Sequence, residues 1–431
     1  MKDYISELIK DKKVLILGFG REGRSSFQLF KNVGGFFCLD VADGNPAIAE
    51  EKIDAKIIAG PQYLDVIDEY DIVMKSPGIV LPREISDYKA MITCQIDLFM
   101  HEYGNQTVGI TGTKGKSTTS TLLYHVLKES GRNTILAGNI GIPVFDILDQ
   151  IEDETIIVVE LSCHQLEYNH FAPHMAALLN FYEDHLDHYG TYEKYCNAKR
   201  NIYRNQKEND LFFVRDDFAP SADEYQSTLK IVAASHLPFA SWSDFEGGAP
   251  LRGEHNKINA AFVYDICKCL GVTDSEYMSA VASYKTLPHR LEYLGQKNGV
   301  EFFDDSISTT CESAISAMKS IENCGAIILG GMDRGIDYEP LIEYLLTSSP
   351  NHVICMYDSG KKLFDLLSNR MTVADKDKLY YASTLEEACS YAKRVAEVGS
   401  AVILSPAAAS YGVFKNFEER GDKFKEYVMM N

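Results

Sequence analysis

The sequence predicts an α/β protein of three domains, each built around a largely parallel sheet. Three observations carry this. Residues 13–17 (KVLIL) read as a compact apolar strand that runs into Gly18-Phe19-Gly20-Arg21-Glu22-Gly23, a full G-x-G-x-x-G at the start of a helix. Residues 107–111 form a β-branched strand that breaks into Gly112-Thr113-Lys114-Gly115-Lys116-Ser117 and then a helical stretch, 118–129. From Pro288 onward, short apolar runs alternate with helical segments. The expected architecture is a Rossmann-like N-terminal domain over residues 1–95, a central P-loop ATPase-like domain over 96–286 and a C-terminal Rossmann-like domain over 287–431. A length of 431 residues suits two or three domains.

In the first domain a second strand, 35–39, ends at Asp40, where an acidic residue can hold a ribose hydroxyl. A third, 71–74, leads into Lys75-Ser76-Pro77-Gly78. Ser76 then lies at the carboxyl end of a parallel strand, where such sheets bind ligands. The glycine motif suits any nucleotide diphosphate, and its plain alternative is a tight turn. In the second domain the loop 112–117 and the helix start after it form a phosphate cradle, because the backbone N–H groups and the helix dipole favour anions. Lys116 would reach the outer phosphates and Ser117 would hold Mg²⁺. The loop is a shortened variant, with Ile110 where the longer pattern has glycine. Gly138-Asn139-Ile140-Gly141 is a second glycine turn. Glu160 ends an apolar strand, a natural position for a Mg²⁺ ligand.

The strand 175–180 is followed by Phe181-Tyr182-Glu183-Asp184-His185-Leu186-Asp187-His188, readable either as metal ligands or as a turn capping the next helix. Its spacing is not that of a zinc site. Lys199, on the helix 191–204, reads from spacing alone as a surface charge. Asn256 and Asn259 share one face of a first helical turn, suited to the edge of a planar base or to capping. The last third predicts strands at 300–303, 326–329, 352–356 and 401–404, with Gly330-Gly331-Met332-Asp333-Arg334-Gly335 and Ser405-Pro406-Ala407 at carboxyl ends.

Composition narrows the function. A net charge of -20 argues against a general nucleic-acid or membrane-surface binder. Ten scattered cysteines without a C-x-x-C suggest neither a zinc site nor a disulfide framework. No signal-peptide core and no apolar run of ~18 residues is present. The expectation is a cytoplasmic monomer that acts on small molecules, with no nucleic-acid or membrane partner.

With these residues in view, the chain resembles the Mur ligases, ATP-dependent amino-acid ligases of peptidoglycan precursor synthesis related to folylpolyglutamate synthase, and most of all their D-glutamate-adding branch. The resemblance spans essentially the whole chain. It rests on residues 111–118, Gly138 to Gly141, Glu160-Leu161-Ser162, Glu183-Asp184-His185, Ala198-Lys199, 253–259, Leu287-Pro288-His289-Arg290, Leu404-Ser405-Pro406-Ala407 and Asn416-Phe417-Glu418-Glu419-Arg420-Gly421. It implies ligation of glutamate to the L-alanyl carboxylate of UDP-N-acetylmuramoyl-L-alanine through an acyl phosphate. It assigns Gly112, Thr113, Lys114, Gly115, Lys116, Ser117, Thr118, Asn256, Asn259, Arg290 and Asp305 to ATP. Gly20, Arg21, Glu22, Asp40, Ser76 and Asn139 are assigned to the UDP-sugar. Two Mg²⁺ sites would be held by Ser117, Glu160, His185 and Lys199, the last as a carbamate. Lys116, Glu160, His185 and Lys199 are thereby catalytic, and Arg334, Ser410 and Phe417 would meet glutamate.

Two departures concern the amino-acid pocket. The branch usually has a lysine where this chain has Ile307 and an asparagine where it has Thr310. Arg334 stands where a lysine is often found, and its guanidinium forks onto a carboxylate at least as well. L-glutamate or another amino acid is therefore an alternative donor. Three rival classes fit less of the sequence. A folylpolyglutamate synthase-like ligase does not need the first domain, an NAD oxidoreductase leaves the phosphate loop unexplained, and a non-catalytic nucleotide module leaves Lys116, Glu160, His185 and Lys199 without a task.

Overall fold

The computed structural model describes residues 1–430 apart from 246–250, 252, 322, 349 and 374, and apart from the side chains of Asp187 and Ser243. The metal-ligation reading of 181–188 thus includes one side chain, Asp187, outside the described set, as is Arg252 beside the loop that enters the Asn256 helix. The chain divides into two compact units, Met1–Ala240 with Ile258–Val281, and Ser241–Lys257 with Ala282–Asn431.

The first unit contains two parallel sheets. The first has β1 (Lys13–Leu17), β2 (Cys38–Asp43), β3 (Ile57–Ala59), β4 (Ile72–Lys75) and β5 (Met91–Thr93) in the order β3-β2-β1-β4-β5. Helices α1 (Lys2–Ile9), α2 (Arg21–Val33) and α3 (Gln95–Tyr103) accompany it. The second has β6 (Thr107–Thr111), β7 (Thr134–Gly138), β8 (Ile156–Glu160), β9 (Met175–Leu178), β10 (Leu211–Val214) and β11 (Thr228–Ile231) in the order β11-β10-β9-β6-β8-β7. Its helices are α4 (Lys116–Glu129), α5 (Cys163–Leu166), α6 (Leu186–Tyr189) and α7 (Tyr192–Arg204), and α8 (Glu254–Cys269) and α9 (Asp274–Ser283) follow in the chain. Strands β1, β6, β8 and β9 are almost wholly buried apolar runs, as a parallel sheet covered on both faces requires. One apolar cluster runs from Ile5, Phe30 and Met74 through Phe99 to Ile157, Leu178 and Phe212, so the first two sheets share a core.

The second unit holds β12 (Glu292–Lys297), β13 (Val300–Asp304), β14 (Cys324–Leu329), β15 (His352–Met356), β16 (Leu379–Ala382) and β17 (Ala401–Leu404), ordered β12-β13-β17-β14-β15-β16. Helices α10 (Cys311–Ser320), α11 (Glu339–Thr347), α12 (Tyr357–Arg370), α13 (Leu385–Val395) and α14 (Phe417–Met429) complete it. Separate apolar clusters pack around Leu329 and Leu341 and around Ile328 and Phe424. No helix among the described residues is long and apolar enough to cross a membrane.

Two sequence expectations are corrected. The second strand does not end at Leu39. Gly34 and Gly35 take φ of 69° and 86° and make the turn, so the strand starts at Cys38, opposite Lys13, and ends at Asp43. Asp40 is therefore mid-strand, opposite Leu15, and the strand-end carboxylate is Asp43. The third sheet also carries an antiparallel edge that the β/α alternation did not suggest. β12 and β13 are joined through Asn298 and Gly299 at φ 52° and 77°, the two left-handed positions a tight hairpin needs.

The first glycine motif is sterically demanding. A side-chain carbon on Gly23 would lie 1.9 Å from the Gly18 carbonyl oxygen, whereas one on Gly20 would meet nothing within 4 Å. Gly23→Ala should therefore destabilise the protein by about 1–3 kcal/mol in urea unfolding, and Gly20→Ala by less than about 1 kcal/mol. Equal losses would show that backbone freedom, and not close packing, sets the cost.

Candidate functional site

The phosphate loop is held from below by the strand beside it. β6 ends at Thr111, and Gly112 (φ 155°) and Gly115 (φ 87°) turn the chain into α4, which starts at Lys116. Asn180, just past β9, fastens the loop. Its Oδ1 accepts the N–H groups of Thr113 (3.0 Å) and Lys114 (2.9 Å), and its Nδ2 donates to the Lys114 carbonyl (3.0 Å). The Thr113 hydroxyl pairs with the Tyr195 hydroxyl at 2.7 Å and accepts the Tyr182 N–H at 2.9 Å. Asn259 seats Gly115: a side-chain carbon there would lie 2.5 Å from Asn259 Oδ1. Asn180 carried no sequence motif, and only its place at the tip of a core strand marked it.

Two ammonium groups converge on this loop. Lys116 Nζ donates to the carbonyls of Gly112 (2.9 Å) and Thr113 (3.1 Å), and Lys199 Nζ donates to the same Gly112 oxygen (3.0 Å). Lys199 is 1% exposed, so the surface-charge reading of its spacing is corrected: α7 turns it inward onto the loop. Burial, reinforced by the Lys116 charge, pushes the Lys199 pKa down to about 7. Burial also lowers that of Lys116. Next to them Glu160 is 1% exposed at the tip of β8. Its Oε1 accepts from Asn139 Nδ2 at 2.6 Å, and its Oε2 is buried with no protein partner. A buried carboxylate oxygen left open beside a phosphate cradle is what a Mg²⁺ ligand requires, and Ser117 is buried on the first turn of α4, directly after Lys116.

His185 stands at φ 52° before α6 and is about half exposed. Its ring lies 4.8 Å from that of His164, which lies 4.4 Å from that of His188. Burial and the neighbouring His188 push His164 down to about 4, so it is neutral at pH 7.

The first sheet presents its carboxyl edge within the same unit. Ser76 Oγ donates to the Gly18 carbonyl (2.9 Å), and Arg21 reaches the Gly141 carbonyl (2.8 Å). Glu22 accepts from Gln165 Nε2 (2.6 Å) and burial raises its pKa. Lys75, 3% exposed, spans from the Pro77 carbonyl (3.2 Å) to Glu167 (3.5 Å), whose carboxylate also takes His188 Nε2 (3.3 Å). Asp40 is occupied elsewhere, accepting from the Tyr70 hydroxyl (2.8 Å) and the Lys56 N–H (3.2 Å). Asp43 instead accepts the Phe19 N–H of the glycine loop at 2.6 Å.

In the second unit Arg290 and Arg334 are exposed, Ser410 is buried and Phe417, beginning α14, is partly buried. Asn256 is 9% exposed on the first turn of α8. Asp305 lies beneath its loop. Its Oδ2 accepts from the hydroxyls of Ser308 (2.5 Å) and Ser405 (2.7 Å), its Oδ1 accepts the Leu291 N–H (3.1 Å), and burial raises its pKa to about 6. Ile307 is partly buried between Ser306 and Ser308. His289, at φ 63°, donates from Nδ1 to Asp304 at 2.7 Å.

A family model described as the Mur ligase middle domain matches residues 110–236. The chain is 30% identical to the UDP-N-acetylmuramoylalanine–D-glutamate ligase of Streptococcus agalactiae serotype III over 453 aligned positions, covering 96% of each chain. It is 32% identical to the enzyme of the same name from Aquifex aeolicus, covering 96% of this chain and 98% of that one. In fold it is similar to the MurF ligase of Thermotoga maritima in complex with ADP, with a TM-score of 0.60 and 18% identity over 99% of both chains. It is also similar to the folylpolyglutamate synthase of Mycobacterium tuberculosis, with a TM-score of 0.55 and 14% identity over 77% of this chain and 94% of that one.

The His289–Asp304 bond raises the imidazole pKa. Its contribution to stability is then fully present below the unfolded value of about 6.5 and is lost as pH rises through the raised native value. Urea unfolding of the wild type and of His289→Asn, which tolerates the left-handed backbone, should differ most near pH 5 and progressively less toward pH 9. A constant difference would mean that packing, not charge, holds His289.

Proposed function

This chain belongs to the Mur ligase family, and on that premise we propose that it joins glutamate to the L-alanyl carboxylate of UDP-N-acetylmuramoyl-L-alanine, with ATP converted to ADP and phosphate. The near-complete coverage by relatives named for this reaction supports the substrates. The observation that carries the chemistry is the open, buried oxygen of Glu160 beside a loop onto which two desolvated lysines converge.

The chain's own residues account for the first half-reaction. N–H groups of the loop 112–118 and the Lys116 ammonium bind and orient the polyphosphate, and Asn180 and Tyr195 keep the loop in that shape. The substrate carboxylate oxygen attacks the γ-phosphorus, the bond to the bridging oxygen breaks, and ADP leaves with the electron pair. The glutamate amine then adds to the acyl carbon and loses a proton, and the tetrahedral adduct expels phosphate to leave the amide. Ser117, Glu160, His185 and a carbamate on Lys199 would hold two Mg²⁺ ions, which supply neutralisation of charge building on the transferring phosphoryl. His185 serves as a ligand and not as a general base. Lys199, poised near neutrality, is suited to react as a free amine with CO₂, its nitrogen bonding to carbon and releasing one proton.

Arg21, Glu22, Ser76 and Asn139 line the edge proposed for the UDP-sugar, with Gly20 at the helix start. Asp43 is a better placed acceptor than Asp40 for a hydroxyl near the glycine loop. Asn259, on α8, packs against Gly115 of the loop proposed for ATP, and Asn256, Arg290 and Asp305 are proposed for the rest of the nucleotide. Arg334, Ser410 and Phe417 are proposed for the amino acid. The apolar Ile307 in that region supports a second reading, in which L-glutamate or another amino acid is the donor.

Phosphate release from ATP with UDP-N-acetylmuramoyl-L-alanine should require D-glutamate, with little release when it is omitted. Release with L-glutamate alone would select the second reading, and release with neither would refute the acceptor. Glu160→Gln should lower kcat by about 10²–10³-fold. Lys199→Ala should abolish turnover, and a short-chain carboxylic acid should partly restore it. Carbamate loading of the wild type, read by ¹³CO₂ NMR, should fall as pH drops below about 7, where the amine is protonated. Absence of both rescue and label would remove the carbamate.

A further inference from the structure

Among the described residues the largest fully buried side chain is a cation, Arg420, 0% exposed on the first turn of α14. Burying a guanidinium is costly unless its donors are used. Its Nε donates to Ser306 Oγ (3.0 Å), and its Nη2 donates to the carbonyls of Ser306 (2.7 Å) and Ala408 (3.0 Å). Ser306 passes the contact on, its hydroxyl donating to the Phe417 carbonyl at 2.7 Å. Nη1 has no partner. It lies 3.0 Å from where a side-chain carbon on Gly331 would stand. No carboxylate among the described residues forms an ion pair with it. The nearby Asp304 is taken by His289 and by the Ser306 N–H (2.9 Å).

The hydrogen bonds of this one side chain fall on two loops, and its unpaired Nη1 lies beside a third. Ser306 follows β13, Ala408 follows β17 and Gly331 follows β14, and these strands are neighbours in the sheet order β13-β17-β14. Each loop carries a side chain next to the contact: Ile307 beside Ser306, Ser410 two residues beyond Ala408, and Arg334 three beyond Gly331. Phe417 is joined through Ser306 Oγ. A further bond, from the Met332 N–H to the Ala409 carbonyl (2.9 Å), closes two of the loops on each other. A planar fork with donors in fixed directions can tie separate loops at once, whereas a lysine offers one point charge.

We propose that Arg420 is the positioning residue of the amino-acid site, fixing the loops after β13, β14 and β17 so that Ile307, Arg334, Ser410 and Phe417 meet one substrate. This rests on the ligase reading above. Arg420 touches no reacting atom. It governs affinity for the amino acid and leaves the phosphoryl-transfer step alone.

The test compares wild type, Arg420→Lys, Arg420→Met and Ser306→Ala for the KM of each substrate and for the burst of ADP formed from ATP and UDP-N-acetylmuramoyl-L-alanine with no amino acid present. Both Arg420 variants should raise the amino-acid KM about tenfold or more, and Ser306→Ala about threefold, since each removes hydrogen bonds to loop groups that stay buried. The KM values for ATP and the UDP-sugar, and the burst, should stay within about twofold. Parallel rises in all three KM values, rescue by lysine, or a lower kcat at constant amino-acid KM would overturn the proposal and leave a purely structural cation. If the Arg420 variants do not fold, Ser306→Ala decides alone, with an unchanged amino-acid KM refuting it. A wild type that gives the burst but no turnover with any amino acid would refute the parent reading instead.

Discussion

A single backbone oxygen, that of Gly112, accepts hydrogen bonds from two ammonium groups, and much of the first unit is arranged so that this is tolerable. Removal from water lowers the proton affinity of both lysines below that of free lysine, and at Lys199 the neighbouring Lys116 charge adds to it. What holds them is covalent geometry and packing. Gly112 and Gly115 take backbone angles that a side chain would oppose, Asn180 grips the turn from β9, and α7 delivers Lys199 from behind. The result is a preorganised cradle in which the Lys116 ammonium and the loop N–H groups complement a polyphosphate. Burial, with the Lys116 charge beside it, lowers the Lys199 pKa to about 7 and so leaves that amine partly uncharged at physiological pH.

Parallel sheets impose the rest of the arrangement. Strands running the same way deliver all their loops to one edge, so polar side chains collect there while the strands stay apolar. In the first unit, Arg21 to Gly141, Glu22 to Gln165 and Lys75 to Glu167 join the loop edge of the first sheet to segments that follow the strands of the second. In the second unit Asp305, His289 and Arg420 form a buried polar layer beneath the loops of the third sheet. Buried polar groups are directional and therefore specify loop geometry in a way that apolar packing alone does not.

Several of these groups were legible in the residue order because their signals are local. A glycine turn followed by Lys-Ser at a helix start, a glutamate closing an apolar strand, and the alternation of strands with helices each depend on neighbours in the chain. Asp40 misled because counting residues from a glycine motif does not reveal where a strand begins. That was decided by Gly34 and Gly35 and by pairing with β1, which put Asp43 at the tip. The β12 hairpin was announced by Asn298-Gly299, a local cue that the dominant β/α pattern obscured. Asn180 was marked only by its place at a strand tip and Arg420 only as a member of the 416–421 run, and neither cue gives a role until the partners are known.

The sequence by itself determined the three-sheet α/β design, the phosphate loop, the acidic strand tip and the family, because periodicity, glycine placement and motif order survive in one dimension. Only the tertiary structure decided that Lys199 is buried against the Gly112 carbonyl, that Asn139 serves Glu160, that Asp43 and not Asp40 faces the glycine loop, and that Arg420 bonds two loops and packs beside a third. Those outcomes depend on desolvation and on contacts between residues far apart in the chain. Burial is set by which helix face meets which sheet, and no local pattern records it.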